Sequence, residues 1–262
     1  MPCHPSATIA PTARIHPDSQ IGPGCHIGEF VVIEQDVVLG EACKVEPYVF
    51  IKRWTTLGDR NEISAGTVLG SDPLDKNFKG ERSYLTMGHD NKVREHFTIS
   101  RGTKPEATTR IGDGNYIMTS GHIAHDCVIG HHNVICSSAL IAGYVTIEDR
   151  AFISGGVVVH QYSKIGSLVM VGGNSRVNLD LPPYFLYSEF NATPVGLNIV
   201  GLRRAGVSRE EISNLKTAYR LLYRSALKLE EACAAILAQV PCDTTRHLVS
   251  FIQGSNRGIT RE

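Results

Sequence analysis

Residues 111–159 read "IGDGNYIMTSGHIAHDCVIGHHNVICSSALIAGYVTIEDRAFISGGVVV", and an aliphatic side chain returns at every sixth position. The series runs Ile111, Ile117, Ile123, Ile129, Ile135, Ile141, Ile147, Ile153, Val159, and continues through Ile165, Val171 and Val177. Upstream, Ile9, Ile15, Ile21, Ile27, Ile33, Leu39, Val45, Ile51, Leu57, Ile63 and Leu69 form a second series in the same phase, with Met87, Val93 and Ile99 between the two. A period of six matches neither the 3.6 of a helix nor the 2 of a strand. It is the spacing of hexapeptides wound into a parallel solenoid, in which each unit supplies a short strand and a corner.

Two residues before the aliphatic the side chain also tends inward, and through the first coils it is small or β-branched: Ala7, Ala13, Ser19, Cys25, Val31, Val37 and Cys43. Cysteines in this phase read as core hydrophobes rather than ligands. Glycine often follows the aliphatic (Gly22, Gly28, Gly40, Gly58, Gly112, Gly130, Gly166), which suits tight corners. Three hexapeptides would close one triangular coil of 18 residues, placing i and i+18 side by side. Repeats of this kind resemble the left-handed β-helix superfamily, and the hand is implied by that resemblance alone. The expected fold is therefore a β-solenoid, a left-handed parallel β-helix over 1–186, followed by a small C-terminal α-helical domain over 187–262.

Two polar stretches containing proline interrupt the repeat, "SDPLDKNFKGERSY" (71–84) and "RGTKPEATTR" (101–110). They read as excursions from the coil, where function commonly resides on a rigid scaffold. The repeat ends at "LDLPPYF", where Pro182 and Pro183 block its continuation. Beyond it Ser208 and Glu211 make a capping box, and Ile212, Leu215, Ala218, Tyr219 and Leu222 keep a helical stripe. A second helix is expected over 228–240 and a third through "RHLVSFIQG".

The chain has 262 residues, with 26 basic and 26 acidic side chains, so bulk charge gives no reason to expect nucleic-acid binding. No apolar run approaches the ~18 residues of a membrane span. Seven cysteines without a CxxC fit a reducing cytoplasm better than a disulfide framework.

The chemistry is concentrated in "GHIAHDCVIGHH" (121–132). With 18 residues per coil, His125, Gly143 and Gln161 form one column. A base beside a residue without a side chain, whose backbone N–H is open, suits acyl transfer: imidazole takes a proton and the N–H holds an oxyanion. His122 and His160 lie near the same face. On the residues alone, solvated turn histidines or a zinc site remain alternatives. Against zinc, Cys127 falls in the inward phase. His4, His16, His26, His89 and His247 read as surface or loop residues.

"HIAHDC" (122–127), "HQ" (160–161), "VMVGG" (169–173), "DLPPY" (180–184), "NATPVGLNIVGLRR" (191–204), "SREEI" (208–212) and "YRLLYRS" (219–225) together resemble the acyl-[acyl-carrier-protein]–UDP-N-acetylglucosamine O-acyltransferases, which open lipid A synthesis. The resemblance spans the chain. It implies a homotrimer with sites between subunits, acyl carrier protein as donor, a nucleotide sugar as acceptor, and no metal or cofactor beyond the carrier's own phosphopantetheine arm. His125 would be the general base, oriented by Asp126, and Gly143 would face the thioester oxygen. His122, His160 and Gln161 would line the sugar and acyl site. Asp75 would touch substrate, and Asn198 and Arg204 would hold the nucleotide. Gly173 would set the depth of the acyl groove, with Asn191 next along it. The chain departs from the family pattern at Asn77, Ser100, Tyr144, Val200 and Ala205, all on the sugar and nucleotide side. Tyr144 replaces a histidine there. The alternatives are a paralogue acting on a 3-amino or other nucleotide sugar, a coenzyme-A-dependent acetyltransferase, a metal hydratase on the same scaffold, and a trimer that binds without turnover.

Overall fold

Most strands are only two residues long, because each hexapeptide must also turn a corner. The computed structural model describes residues 3–261. Its strands stack into three sheets of eleven, nine and eight strands, here the first, second and third sheets. Successive strands of a sheet come from successive coils and pair in parallel, as in Ile117↔Ile135↔Ile153 on the first sheet and Ile123↔Ile141↔Val159 on the second. The aliphatic series forms the axis of the core: Ile51, Leu69, Ile99, Ile117, Ile123, Ile135, Ile153 and Val159 are fully buried. Each such side chain contributes about 1.5–3 kcal/mol by leaving water.

The corners work differently from the expectation. The left-handed residue is the third after the aliphatic, and it is usually not glycine: Asp36, Arg60, Ser120, Asp126, His132, Ser138, Tyr144 and Tyr162 all have φ near +60°. Each such residue costs about 1 kcal/mol, offset by the coil-to-coil ladder. The glycine directly after the aliphatic answers to space instead. A Cβ on Gly22 would stand 2.3 Å from Gly40 O, and one on Gly112 2.6 Å from Gly130 O.

The inward phase also carries a feature beyond small apolar residues. Asn61, Asn91, Asn115 and Asn133 are buried and form a ladder, each side-chain oxygen accepting the backbone N–H of the next coil at 2.7–3.0 Å. The side-chain nitrogens of Asn61, Asn91 and Asn115 are bonded in turn to neighbouring carbonyls or amides, so most of these polar groups are satisfied within the core, the Nδ2 of Asn133 alone in the ladder having no partner among the described residues.

Both excursions leave from one place, the corner between the second and third sheets. The first follows Val68–Ser71 and rejoins at Tyr84–Met87; the second follows Thr98–Ser100 and rejoins at Thr108–Ile111. Each lengthens its coil, so Asn91 sits 30 residues past Asn61 and Asn115 24 past Asn91, before the spacing returns to 18.

The first sheet continues through Phe185–Ser188, which turns back antiparallel as Thr193–Leu197. The helices follow: α1 (Ile199–Arg204), α2 (Arg209–Tyr223), α3 (Leu229–Gln239) and α4 (Asp243–Gln253). The capping box at Ser208 is present, and α2 buries Ile212, Leu215, Ala218 and Leu222. The short α1 was not visible in the sequence pattern. Among the five histidines read as surface residues, His247 of α4 is engaged. Its Nε2 lies 3.1 Å from Glu148 of the solenoid, and its Nδ1 is bonded to the Tyr184 hydroxyl at 2.6 Å. It ties the helices to the coil.

Candidate active site

His125 and Asp126 form the turn that leaves the strand His122–Ile123, at the same corner as the two excursions. Both side chains are nearly buried, 12% and 10% exposed, with His125 Nδ1 2.9 Å from Asp126 Oδ2. Burial pushes the Asp126 carboxyl up, but the bonds from His125 and from the Thr103 hydroxyl and backbone together hold it below the usual carboxylate range. It is therefore ionised at neutral pH and can only accept, which puts the imidazole proton on Nδ1 and leaves Nε2 as the base.

The expected column is present. Tyr144 N–H donates to His125 O at 3.0 Å, and Tyr162 N–H to Gly143 O at 3.1 Å, so 125, 143 and 161 stack coil upon coil. The imidazole lies across Gly143: a Cβ there would be 2.4 Å from His125 Cε1 and 2.8 Å from Nε2. At the corner between the third and first sheets, the N–H in the equivalent place is capped by a side chain from the next coil, as with Asp113 N–H on His131 Nδ1 and His131 N–H on Asp149 Oδ1. The Gly143 N–H has no such acceptor among the described residues. A proton acceptor and an open backbone donor thus face one small volume, the arrangement needed for attack on an acyl carbonyl.

Tyr144 stands over this pair. Its ring meets the imidazole edge-on at 5.3 Å and stacks on Tyr162 at 4.7 Å. Its hydroxyl is 2.9 Å from Thr103 Oγ1; burial, with the Asp126 charge adding to it, pushes its pKa up. His122, on the preceding strand, is bonded through Nδ1 to Thr98 Oγ1 at 2.6 Å, while its buried Nε2 has no partner among the described residues. Burial lowers its pKa, so it is neutral at pH 7.

His160 and Gln161 are exposed at the next coil of the corner, and His160 Nδ1 is bonded to Gln161 O. Asp75 caps a turn of the first excursion by accepting Asn77 N–H at 2.8 Å. Gly173 sits at the other edge of the second sheet, one coil from Gly155. Between the Gly143 and Gly173 corners, the outer face of that sheet exposes Leu140 and Val158 side by side. Asn191 lines a cavity of about 160 Å³ with Asn178, Leu179 and Leu181.

Asn198 and Arg204 lie elsewhere, beside a cavity of about 460 Å³ that Phe152 and Met170 of the first sheet line together with α1. The Asn198 side chain caps α1 through Gly201 N–H and donates to Leu168 O at 2.9 Å, a structural duty the sequence reading had not foreseen. One chain thus brings together His125, Asp126, Gly143 and Tyr144, and leaves Asn198 and Arg204 on a different face.

Cys127 is core as expected. It is fully buried, donates to Ala142 O, and its thiol is pushed up to about 12 by burial. Among the described residues, no three His, Cys, Asp or Glu side chains are gathered to hold a metal ion. The reading missed Thr98, Thr103, Thr109 and Tyr162. Thr109 Oγ1 accepts Asp126 N–H at 2.8 Å, one coil away as an 18-residue count would place it, whereas Thr103 of the second excursion reaches Asp126 across 23 residues and is not placed by that count.

Residues 180–260 match the family model described as UDP-N-acetylglucosamine O-acyltransferase, domain 2. The chain is 40% identical to the acyl-[acyl-carrier-protein]–UDP-N-acetylglucosamine O-acyltransferase of Myxococcus xanthus, over 97% of this chain and 100% of that one. The crystal structure of a UDP-N-acetylglucosamine acyltransferase from Bacteroides fragilis superposes with a TM-score of 0.94 at 38% identity, covering 97% of this chain and 100% of that one. The Francisella novicida UDP-N-acetylglucosamine acyltransferase gives 0.87 at 34% identity, covering 99% and 94%. With its solenoid, its helical C-terminal region and nearly all of its length matched in this way, the chain belongs to the acyl-[acyl-carrier-protein]–UDP-N-acetylglucosamine O-acyltransferase family.

Proposed function

We propose that the protein moves a 3-hydroxyacyl group from acyl carrier protein to the 3-hydroxyl of a UDP-N-acetylglucosamine-type sugar, the first step of lipid A synthesis. The observation that carries this reading is the His125–Asp126 pair lying across Gly143, with Nε2 free to accept a proton. Nε2 takes the proton of the sugar hydroxyl as its oxygen attacks the thioester carbonyl. The Gly143 N–H stabilises the resulting oxyanion. Collapse breaks the carbon–sulfur bond, and the imidazolium returns its proton to the departing phosphopantetheine thiolate of the carrier. Asp126 stabilises the imidazolium through Nδ1. A positioned base contributes ~10²–10⁴-fold, and an oxyanion donor ~10²–10³-fold.

His122, His160, Gln161 and Tyr144 flank the reacting groups, and Asp75 reaches substrate from the first excursion. The buried Nε2 of His122 is a group that a sugar hydroxyl would satisfy. The acyl chain runs from Gly143 over Leu140 and Val158 towards Gly173 and Asn191. Asn198 and Arg204 hold the nucleotide. Their position on another face of the solenoid supports a homotrimer in which one subunit supplies His125 and a neighbour completes the site. Among the described residues, no helix is long and apolar enough to cross a membrane. We place the enzyme in the cytoplasm, whose reducing environment suits seven cysteines without a CxxC.

A matrix of donors and acceptors, read by mass spectrometry, tests this. 3-Hydroxyacyl carrier protein with UDP-N-acetylglucosamine should give an ester product. Transfer from acetyl-coenzyme A alone would instead indicate the coenzyme-A-dependent reading.

A further inference from the structure

The tripeptide Arg101–Gly102–Thr103 opens the second excursion and is buried throughout. Arg101 is 1% exposed and pairs with Asp72 of the first excursion. Its guanidinium lies over the rings of Trp54 and Phe78, at 5.1 and 5.3 Å from their centroids. Gly102 has no room for a side chain, since a Cβ would stand 2.6 Å from the Ala107 carbonyl. Held from both sides, Thr103 meets Asp126 twice: its N–H donates to Oδ2 at 3.1 Å and its hydroxyl at 2.7 Å.

The proton count in this network is determinate. Thr103 has one hydroxyl proton, and the carboxylate can only accept it. The second contact of Thr103 Oγ1, 2.9 Å to the Tyr144 hydroxyl, must then have Tyr144 as donor. Tyr144 donates to Thr103, Thr103 to Asp126, and His125 Nδ1 to the same Asp126 oxygen. With its carboxylate fixed by the backbone and hydroxyl of Thr103, Asp126 has one orientation in which to receive the imidazole.

Resting on the acyltransferase reading of the same site, we infer that Thr103 is a positioning residue for the reaction. It fixes Asp126, and through Asp126 the orientation and basicity of His125, while Tyr144 supplies the proton that sets the Thr103 hydroxyl. Tyr144, one of the departures from the family pattern, is then part of the support of the base as well as a wall of the sugar site.

Thr103→Val keeps the shape and the backbone N–H and removes the hydroxyl. The freed carboxylate binds protons more strongly, which stabilises the imidazolium of His125. The titratable groups facing the pair are His122 and Tyr144, with Tyr162 behind Tyr144; all three are retained. The His125 titration, followed by NMR in protein carrying ¹⁵N-histidine and assigned with His125→Ala, should move up in Thr103→Val. It should return in Thr103→Ser and move by less in Tyr144→Phe. In parallel, kcat for Thr103→Val should fall roughly 10- to 100-fold, the cost of a small misplacement of a reacting group. KM for the sugar should stay within about twofold, and the acid limb of the kcat/KM profile should follow the titration. A folded Thr103→Val protein whose His125 titrates as before, or whose kcat is unchanged, overturns the inference. The titration needs no substrate, so its failure bears on Thr103 alone, whereas no transfer by the unsubstituted protein bears on the proposed function.

Discussion

The imidazole of His125 occupies the space that a side chain at position 143 would need, 2.4 Å from Cε1 to the place of a Cβ on Gly143. The neighbour in conflict is a packed ring rather than a flexible tip, so the two residues are mutually dependent. Gly143→Ala retains the backbone N–H proposed to serve the oxyanion, but it must push the imidazole aside. Turnover should drop about 10²-fold, a cost in keeping with a displacement near 1 Å, while thermal stability changes little. Steady-state kinetics alongside a melting curve checks this; normal kcat would mean that the ring can move without loss.

Gly173 should govern donor length. Leu140 and Val158 form an apolar track that leads from the reacting corner towards it. Gly173→Met should shift preference to shorter acyl donors, each methylene lost from the groove being worth up to about 0.8 kcal/mol. Competition among acyl carrier proteins charged with different chains reads this out. An unchanged profile would move the floor of the groove to another residue, with Asn191 the next to vary.

The joint between helices and solenoid should show in the pH dependence of stability. The bond to Glu148 raises the pKa of His247; burial opposes the ionisation of Glu148, but His247 and Ser167 hold its carboxyl low. A raised histidine adds stability that is complete below its unfolded value near ~6.5 and is lost as pH climbs through its folded value. A depressed glutamate adds stability that is complete above its unfolded value near ~4.3 and is lost as pH falls through its folded one. The pair contributes most between about pH 4.3 and 6.5. The Tm difference between the natural protein and His247→Gln should be largest there and shrink towards pH 8. A gap that widened with rising pH would contradict the assignment.

The expected departures bear on the proposed acceptor. On the proposed reading of the nucleotide end, Ala205 stands where the family resemblance implies an arginine, and the missing charge-assisted hydrogen bond would be worth about 1.5–3 kcal/mol. UDP-N-acetylglucosamine should therefore be used less efficiently than is usual in the family, and its 3-amino analogue comparatively well. Measuring kcat/KM for both sugars with one acyl donor decides it. Family-like efficiency with the ordinary sugar and poor use of the amine would make the departures neutral.

The six-residue phase was legible because it is local: Ile117 and Ile123 announce their burial within one hexapeptide, and the 18-residue coil then places His125, Gly143 and Gln161 in a column. The arithmetic fails where the coil lengthens. Thr103 reaches Asp126 across 23 residues and Arg101 reaches Asp72 across 29, distances set by the excursions and not by the repeat. The asparagine ladder was hidden because Asn61 and Asn91 occupy a phase in which small apolar residues were expected. The role of glycine at the corners was misattributed, since crowding from the next coil is a tertiary property that a dipeptide does not carry. His247 read as a surface residue because its partner Glu148 is 99 residues away.

The most direct test of the account compares the natural protein with His125→Ala, given 3-hydroxyacyl carrier protein and UDP-N-acetylglucosamine, with the O-acylated sugar nucleotide followed by mass. The account predicts product from the natural protein and a turnover lower by ~10²–10⁴-fold from a variant that remains folded, because the His125 ring lies outside the aliphatic core. Near-normal turnover by His125→Ala would contradict it.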